Sequence, residues 1–256
     1  MIYFVGAGSG APDLITVRGA KLLGEADVIV YAGSLVNPSL LDYAKEDCAI
    51  YDSAKMTLEE VIAVMAPAAR AGKTVVRLHT GDPCVYGAHR EQMDALDRLG
   101  LAYEICPGVS SFCGAAAALK AEYALPNVSQ TVILTRMEGR TPVPEREQIE
   151  SLAAHGATMV IFLSAGQLEK LSARLIEGGY APETPAAPSR FRPVQTSKCI
   201  SRGGLTAPPA AAPAAGALSF SAGYSSRSAG AAPPSAPRPA AFYRSTCLLY
   251  TSPSPR

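Results

Sequence analysis

Short apolar runs alternate with stretches of helical periodicity from the start of the chain to about Gly179. The runs predict strands at Ile2–Val5, Val28–Tyr31, Ala49–Tyr51, Thr74–Leu78, Tyr103–Cys106, Thr131–Thr135 and Thr158–Leu163. The periodic stretches predict helices at Val17–Glu25, Leu58–Ala71, Ala88–Leu99, Ser111–Leu119, Pro144–His155 and Gln167–Glu177. Regular alternation of this kind indicates an α/β fold with a largely parallel sheet.

The segment EYALPNVS, Glu122–Ser129, interrupts this periodicity and is typical of a domain boundary. We therefore expect two α/β domains, an N-terminal one over residues 1–125 and an incomplete C-terminal one over residues 126–187. Within the first, Thr57-Leu-Glu-Glu60 has the spacing of a capping box at a helix start.

The composition changes from Pro188 onward. Residues 188–256 include a long Pro, Ala, Ser and Gly segment without apolar periodicity, which predicts a disordered tail. The last ten residues, CLLYTSPSPR, resemble a sequencing adapter translated in one frame, and the sequence before them resembles a GC-rich gene read out of frame. We hypothesise that the authentic sequence ends near Ala187.

The charged residues are also distributed unevenly between the parts of the chain before and after Pro188. All 22 acidic residues precede Pro188 together with 15 of the 23 basic ones, so the body carries about −7 although the whole chain carries +1. This balance disfavours a nucleic-acid surface, which needs clustered cations. The chain has no run of about 18 apolar residues and no signal-peptide pattern, so we expect a cytoplasmic protein without a membrane partner.

The six cysteines have no C-x-x-C pair and no metal-ligand spacing, so we expect no metal site. In a cytosolic chain they are expected to be reduced thiols, most of them buried.

The stretch FVGAGSGAPDLITVRGA matches the glycine pattern of dinucleotide-binding loops. Three features argue against NAD. Pro12 disfavours helix entry at Ala11, Thr16 is a better helix cap, and the second strand ends at Tyr31 without the acid that would hold a ribose. A different ligand must explain this loop.

Two more loops of the same kind follow predicted strands. Gly81-Asp82-Pro83 lies in LHTGDPCVYG, and Pro107-Gly108 lies in ICPGVSS. In open parallel sheets, loops at the carboxyl ends of the strands form the crevice where ligands bind. We expect the three loops to share one ligand site.

The run VGAGSGAPDLITVRGAKLLGEADVIVY, followed by GDPCVYG and PGVSS, resembles the tetrapyrrole methylase family over about residues 1–187. Those enzymes use S-adenosylmethionine in corrin and sirohaem synthesis. YAGSLV, LHTGDPCVYGAHREQM and LTRMEGRTPVP are most similar to members that methylate corrin precursors at carbon. The resemblance implies two α/β domains, the cofactor in the cleft between them, a tetrapyrrole substrate and, where the second domain is complete, a homodimer.

The resemblance also implies a set of contacts with S-adenosylmethionine. Pro12 borders its site, Thr80, Gly81 and Asp82 hold its methionine and ribose parts, and Val85 lies behind them. Tyr86 either stacks on the cofactor or ring or packs in the core, and Ser110, Ser111 and Leu163 complete the set. We interpret Asp82 as a fixed acceptor, and we assign no catalytic acid or base.

Corrin precursors carry several carboxylates, so the cleft needs cations. Arg136 and Arg140 are our first candidates, and His79 is a weaker one with an alternative role as a donor beside the Gly81-Asp82-Pro83 turn. We expect His89 and His155 to be exposed helix residues.

The sequence departs from the family pattern in two places: the first argues against a uroporphyrinogen substrate and against an aspartate base, and the second leaves the activity of the truncated chain open. Uroporphyrinogen methylases have an acid after the second-strand tyrosine, where this chain has Ala32-Gly33-Ser34, and the family's last strands have no counterpart after Ala187. The alternatives are methylation at another ring position, an RNA ribose methylase, and a truncated remnant that binds cofactor without catalysis.

Overall fold

The computed structural model describes residues 1–139, 141–192, 195–199, 203–204 and 247–248. Its strands are β1 (Ile2–Gly6), β2 (Val28–Tyr31), β3 (Ala49–Asp52), β4 (Val75–His79), β5 (Tyr103–Cys106), β6 (Val132–Arg136), β7 (Thr158–Phe162), β8 (Pro185–Ala186), β9 (Ser189–Arg192), β10 (Gln195–Cys199), β11 (Gly203–Gly204) and β12 (Cys247–Leu248). Its α-helices are α1 (Val17–Glu25), α2 (Leu58–Arg70), α3 (Arg90–Arg98), α4 (Ser111–Leu119), α5 (Ile149–Ala153) and α6 (Leu168–Glu177).

The first sheet is parallel, in the order β3-β2-β4-β1-β5. Its central strands are apolar on both faces because helices cover both. One face packs Val5, Ile29 and Leu78 with Leu23 of α1. The other packs Phe4 and Val30 with side chains of α2 and α3. All the strands of this sheet point their carboxyl ends to one edge.

A second sheet pairs β6 with β7, also in parallel. One face of β7 packs Met159 and Ile161 against Leu171 and Leu175 of α6. The other face packs Val160 and Phe162 against α4 of the first unit. The two sheets are therefore joined through α4.

The α/β class is confirmed, and the predicted strands and helices up to α6 agree with the structure to within two residues, α5 excepted. The prediction for α5 was wrong at its start because Gln148 is extended, with φ −63° and ψ 151°, after a single turn at Glu145–Glu147. Ala88 lies outside α3 because its φ is +49°. The capping box at Thr57 is confirmed.

Antiparallel pairs follow α6. β8 pairs with β11, and β9 pairs with both β10 and β12. The remainder of residues 188–256 lies outside the described residues, so the predicted domain limits and the reading-frame hypothesis stay predictions.

Two expectations from composition can be compared with the described residues. The cysteine prediction was wrong in part, since Cys106 is buried, Cys48 is half-buried, and Cys84 and Cys113 are exposed. In the described part of the chain no helix is long and apolar enough to cross a membrane, and no cluster of three metal-ligand side chains occurs.

The capping box generates a stability prediction for α2. Thr57 Oγ1 accepts from Glu60 N, and Glu60 Oε2 accepts from Thr57 N. Replacing Thr57 by Ala removes one acceptor for an otherwise unpaired helix amide, so the free energy of unfolding should fall by about 1 kcal/mol. Urea unfolding followed by circular dichroism measures it. Thr57→Ser keeps the hydroxyl and should retain most of the stability; equal losses in the two variants would contradict this account.

Candidate functional site

Three loops meet at the carboxyl edge of the first sheet: loop 1 (Ala7–Thr16), loop 2 (Thr80–His89) and loop 3 (Pro107–Ser110). Gly8 N donates to Gly81 O at 3.2 Å, and Gly81 N donates to Gly8 O at 3.0 Å. Gly108 N donates to Asp82 Oδ2 at 2.9 Å. Loop 2 is thus hydrogen-bonded to both neighbours.

The backbones of these loops approach so closely that only glycine fits at two positions. A Cβ built on Gly6 would lie 2.6 Å from Gly81 O and from Gly108 Cα. A Cβ on Gly108 would lie 2.2 Å from Gly81 O. The arrangement brings peptide groups of three strand ends into one cradle.

Asp82 organises loop 2. Its Oδ1 accepts from Cys84 N at 2.8 Å, and its Oδ2 accepts from Gly108 N. Backbone amides therefore fix both carboxylate oxygens in position. This geometry suits the fixed acceptor that the sequence predicts.

Loop 2 has an unusual backbone for non-glycine residues. Tyr86 has φ +55° and Ala88 has φ +49°, both in the left-handed region. A Cβ on Gly87 would lie 2.0 Å from Pro83 O, so the loop is folded tightly on itself. Such strain persists only where surrounding contacts enforce it.

Two buried histidines, His79 and His89, pack beneath loop 2 and contact its backbone. The His79 ring hydrogen-bonds the backbone of Gly87, and the His89 ring that of Pro83. Both rings pack on Phe4, with centroids at 5.9 Å and 5.4 Å. The prediction that His89 is exposed was wrong, because this packing buries it, whereas His155 is exposed as predicted.

Both histidines are held neutral. Burial lowers the pKa of His79 to about 3, helped by the nearby charge of Arg77 and by His89, and burial also lowers the pKa of His89. His79 is 4% exposed, and its Nε2 has no hydrogen-bond partner among the described residues. We interpret His79 as a support of loop 2, in line with its predicted role beside the turn; its contact with substrate stays a prediction.

A buried arginine lies on the same face and was missed by sequence reasoning. Arg77 Nε donates to Gln92 Oε1 at 3.0 Å, and its Nη1 donates to Val30 O at 3.1 Å. Burial lowers the pKa of Arg77 to about 10, so it stays charged at neutral pH. The signal available was a cation inside the apolar run VVRLH.

Loop 2 also contacts the second sheet. The Tyr86 ring lies 5.0 Å from that of Phe162, and its hydroxyl donates to Leu134 O at 3.5 Å. Leu163 follows β7 with φ +58° and is 60% exposed. Ser164 Oγ donates to Phe162 O and accepts from Met137 N, which links the loops after β6 and β7.

The other predicted cofactor residues lie at the same edge. Pro12 begins a single helical turn in loop 1, and Thr80 is half-buried between β4 and Gly81. Ser110 and Ser111 start α4 beside Gly81, whose built Cβ would lie 3.5 Å from Ser111 N. Val85 packs behind them on the cluster of Phe112 and Phe162.

Of the two predicted arginines, Arg140 lies outside the described residues. Arg136 uses its guanidinium to hold the loop after β6, donating to the carbonyls of Met137, Thr141 and Pro142 at 3.1–3.2 Å. The same loop is tied to α6 because Glu138 pairs with Lys170 and Arg174. These pairs lower the pKa of Glu138 to about 2.

Comparison with known proteins now adds to this geometry. The family model for tetrapyrrole (corrin/porphyrin) methylases matches residues 1–188. The chain belongs to the tetrapyrrole methylase family. The family match takes in all three loops, so the cradle is part of a tetrapyrrole methylase domain.

Two curated relatives are similar over most of their length. The cobalt-precorrin-4 C(11)-methyltransferase of Methanocaldococcus jannaschii is 58% identical over 73% of this chain and 72% of its own. The precorrin-4 C(11)-methyltransferase of Mycobacterium tuberculosis is 48% identical over 74% of this chain and 76% of its own.

Two solved structures resemble the fold. The X-ray structure of a cobalt-precorrin-4 methyltransferase of cobalamin biosynthesis has a TM-score of 0.76 and 46% identity, covering 80% of this chain and 85% of that one. A Thermus thermophilus uroporphyrin-III C-methyltransferase complexed with S-adenosylhomocysteine has a TM-score of 0.66 and 25% identity, covering 80% and 83%.

The close approach of loops 2 and 3 generates a prediction. Gly108→Ala forces a Cβ against a backbone oxygen, so we expect a loss of at least about 2–3 kcal/mol in the free energy of unfolding. Gly166→Ala is the matched control, because a Cβ there meets nothing within 4 Å. Urea unfolding of both variants measures the difference. A Gly108→Ala protein as stable as the control would contradict the cradle geometry.

The neutral histidines generate a pH prediction. Between the ordinary pKa of 6.5 and the folded value of about 3, the unfolded chain binds a proton at His79 that the folded chain does not. Stability contributed by neutral His79 is therefore complete above pH 6.5 and falls with acidification, by about 1.4 kcal/mol per pH unit at most.

The pH prediction is checked by urea unfolding at pH 7 and pH 5. His79→Gln cannot take up a proton, so its stability should fall by about 2 kcal/mol less than that of the wild type over this interval. His155→Gln replaces an exposed histidine and should follow the wild type. Parallel pH profiles for His79→Gln and the wild type would contradict the assignment.

Proposed function

We propose that this chain is an S-adenosylmethionine-dependent methyltransferase that acts on precorrin-4 or cobalt-precorrin-4 at carbon 11. The observation that carries the proposal is the meeting of three strand-end loops in one cradle, in a chain 48–58% identical to relatives named for this reaction. The thermophilic neighbour complexed with S-adenosylhomocysteine supports the choice of cofactor.

The cradle fits the chemistry of this cofactor. Its cationic and hydroxyl groups need acceptors, and Asp82 offers carboxylate oxygens that are oriented by two backbone amides. Gly6, Gly81 and Gly108 let the three loops contact one another, so that backbone groups of all three loops would be available to the cofactor. Exposed apolar side chains at Tyr86 and Leu163 offer surface for the adenosyl group or the ring.

When bound, S-adenosylmethionine supplies a methyl group already activated on a sulfonium. The chain therefore has to bind and orient, and no base is needed for the transfer itself. Loops 1, 2 and 3, together with Leu163 after β7, hold the donor, and the loop after β6 holds the ring. Correct alignment of two reactants can contribute as much as about 7–11 kcal/mol to a barrier.

The substrate's carboxylates require cations on the ring side. Arg136 has three of its hydrogen bonds committed to its own loop, which fixes the guanidinium in place but leaves it charged. We propose that Arg136 attracts substrate carboxylates from this fixed position, together with Arg140 of the same loop. The segment Ala32-Gly33-Ser34 supplies no carboxylate base, which favours a precorrin-4 substrate over uroporphyrinogen.

The proposal predicts cofactor binding that depends on Leu163. Isothermal calorimetry should show S-adenosylhomocysteine bound by the full chain, with NADH ignored. Leu163→Ala removes exposed apolar surface from the site and should weaken binding roughly 5- to 10-fold. The control Leu99→Ala shortens an exposed leucine at the end of α3 and should leave binding unchanged.

Catalysis is then tested with cobalt-precorrin-4, cobalt-free precorrin-4 and uroporphyrinogen III, each supplied with S-adenosylmethionine. Mass spectrometry should detect one added methyl group on a precorrin-4 species. Binding of S-adenosylhomocysteine without transfer would favour a non-catalytic remnant, and binding of NADH alone would overturn the cofactor assignment.

A further inference from the structure

Loop 1 buries a side-chain hydroxyl between two glycines of positive φ. Gly8 has φ +78° and Gly10 has φ +115°. Between them, Ser9 is 5% exposed, and its Oγ has no hydrogen-bond partner among the described residues. A buried hydroxyl without a partner costs free energy. Without contacts from other parts of the chain, loop 1 would turn the Ser9 hydroxyl to solvent, where water could hydrogen-bond it.

The Gly8–Gly10 stretch of loop 1 is hydrogen-bonded to the connections that follow two neighbouring strands, β4 and β2. Gly8 exchanges backbone hydrogen bonds with Gly81. β4 lies between β1 and β2 in the sheet, so the connection that follows β2 lies across β4 from loop 1. There Asn37, in the connection from β2 to β3, donates from Nδ2 to Gly10 O at 2.8 Å.

Asn37 uses both ends of its amide. It is 6% exposed, and its Oδ1 accepts from Ser39 N at 3.1 Å, which caps the short helix Pro38–Tyr43. The donor end is therefore fixed in direction by the acceptor end. Among the described residues, this is the side-chain hydrogen bond that reaches loop 1 between Ala7 and Ile15.

We propose that Asn37 is a positioning residue for methyl transfer, which sets the arc of loop 1 and so the donor side of the cleft. This inference rests on the proposed function for its consequence in catalysis, but not for its structural part. Loop 1 leads from Gly10 to Pro12, the predicted border of the cofactor site. Loss of the Asn37 bond releases that border without removing any group that touches the cofactor.

The test uses two substitutions of Asn37 in the full chain. Asn37→Asp keeps the shape and the acceptor for Ser39 N but puts an oxygen against Gly10 O. Asn37→Ser keeps a helix cap but is too short to reach Gly10. In both variants the dissociation constant for S-adenosylhomocysteine should rise on the order of tenfold. Hydrogen exchange should accelerate in the peptide that contains Gly8–Pro12.

The matched control is Asp52→Asn. Asp52 caps the turn that follows β3 at the same sheet edge, with Oδ1 accepting from Ala54 N at 2.8 Å, and no described hydrogen bond joins it to loop 1. An amide oxygen can take over this acceptor role, so both exchange in loop 1 and cofactor affinity should match the wild type.

The outcomes separate this inference from the proposed function. Unchanged exchange in loop 1 of the Asn37 variants overturns the inference, even where unfolding shows a loss of stability. Faster exchange with unchanged affinity overturns the positioning role. Failure of the wild type to bind S-adenosylhomocysteine contradicts the proposed function, while the exchange measurement still decides whether Asn37 holds loop 1.

Discussion

The structure depends on the contact of three backbones at the carboxyl edge of a parallel sheet. Gly6, Gly81 and Gly108 lie so close that an added Cβ at Gly6 or Gly108 would overlap a peptide oxygen or Cα of a neighbouring loop. Parallel pairing of β4, β1 and β5 brings the ends of these strands side by side, and glycine lets the loops stay in contact beyond the last paired residue. In open α/β sheets, ligands bind at this carboxyl edge of the strands.

Buried polar side chains pack beneath loop 2, and the two histidines among them are uncharged. His79 and His89 hydrogen-bond the backbone of loop 2 while burial keeps them neutral, and Arg77 carries the buried positive charge on that face. A protonated histidine beside Arg77 would add like charge in a poorly solvated place. The neutral imidazoles instead hydrogen-bond the backbone of loop 2 and also pack their rings on Phe4. The conformational strain of loop 2 is therefore offset by the packing of neutral side chains rather than by ion pairs.

Sequence reasoning succeeded where local chemistry decides the outcome. Apolar runs and caps such as Thr16 and Thr57 fixed the elements, because their hydrogen bonds form within a few residues. The contact of the three loops was also predictable, since parallel strands place their carboxyl ends together. The burial of His89, the role of Arg77 and the bond from Asn37 to Gly10 could not be predicted. Each depends on which helix or connection crosses which strand, with partners 15–47 residues apart for Arg77.

The second sheet meets the first domain through an apolar cluster that contains a series of aromatic rings. Tyr86 of loop 2 packs on Phe162 of β7, Phe162 on Phe112 of α4, and Phe112 on Tyr123. Leu163 directly follows Phe162, so the ring contact with loop 2 fixes the chain immediately before that exposed leucine. Tyr86 and Leu163 both have left-handed backbone conformations, one at the contact itself and the other directly after it. The loop that carries Asp82 therefore also makes the contact with the second sheet, through Tyr86.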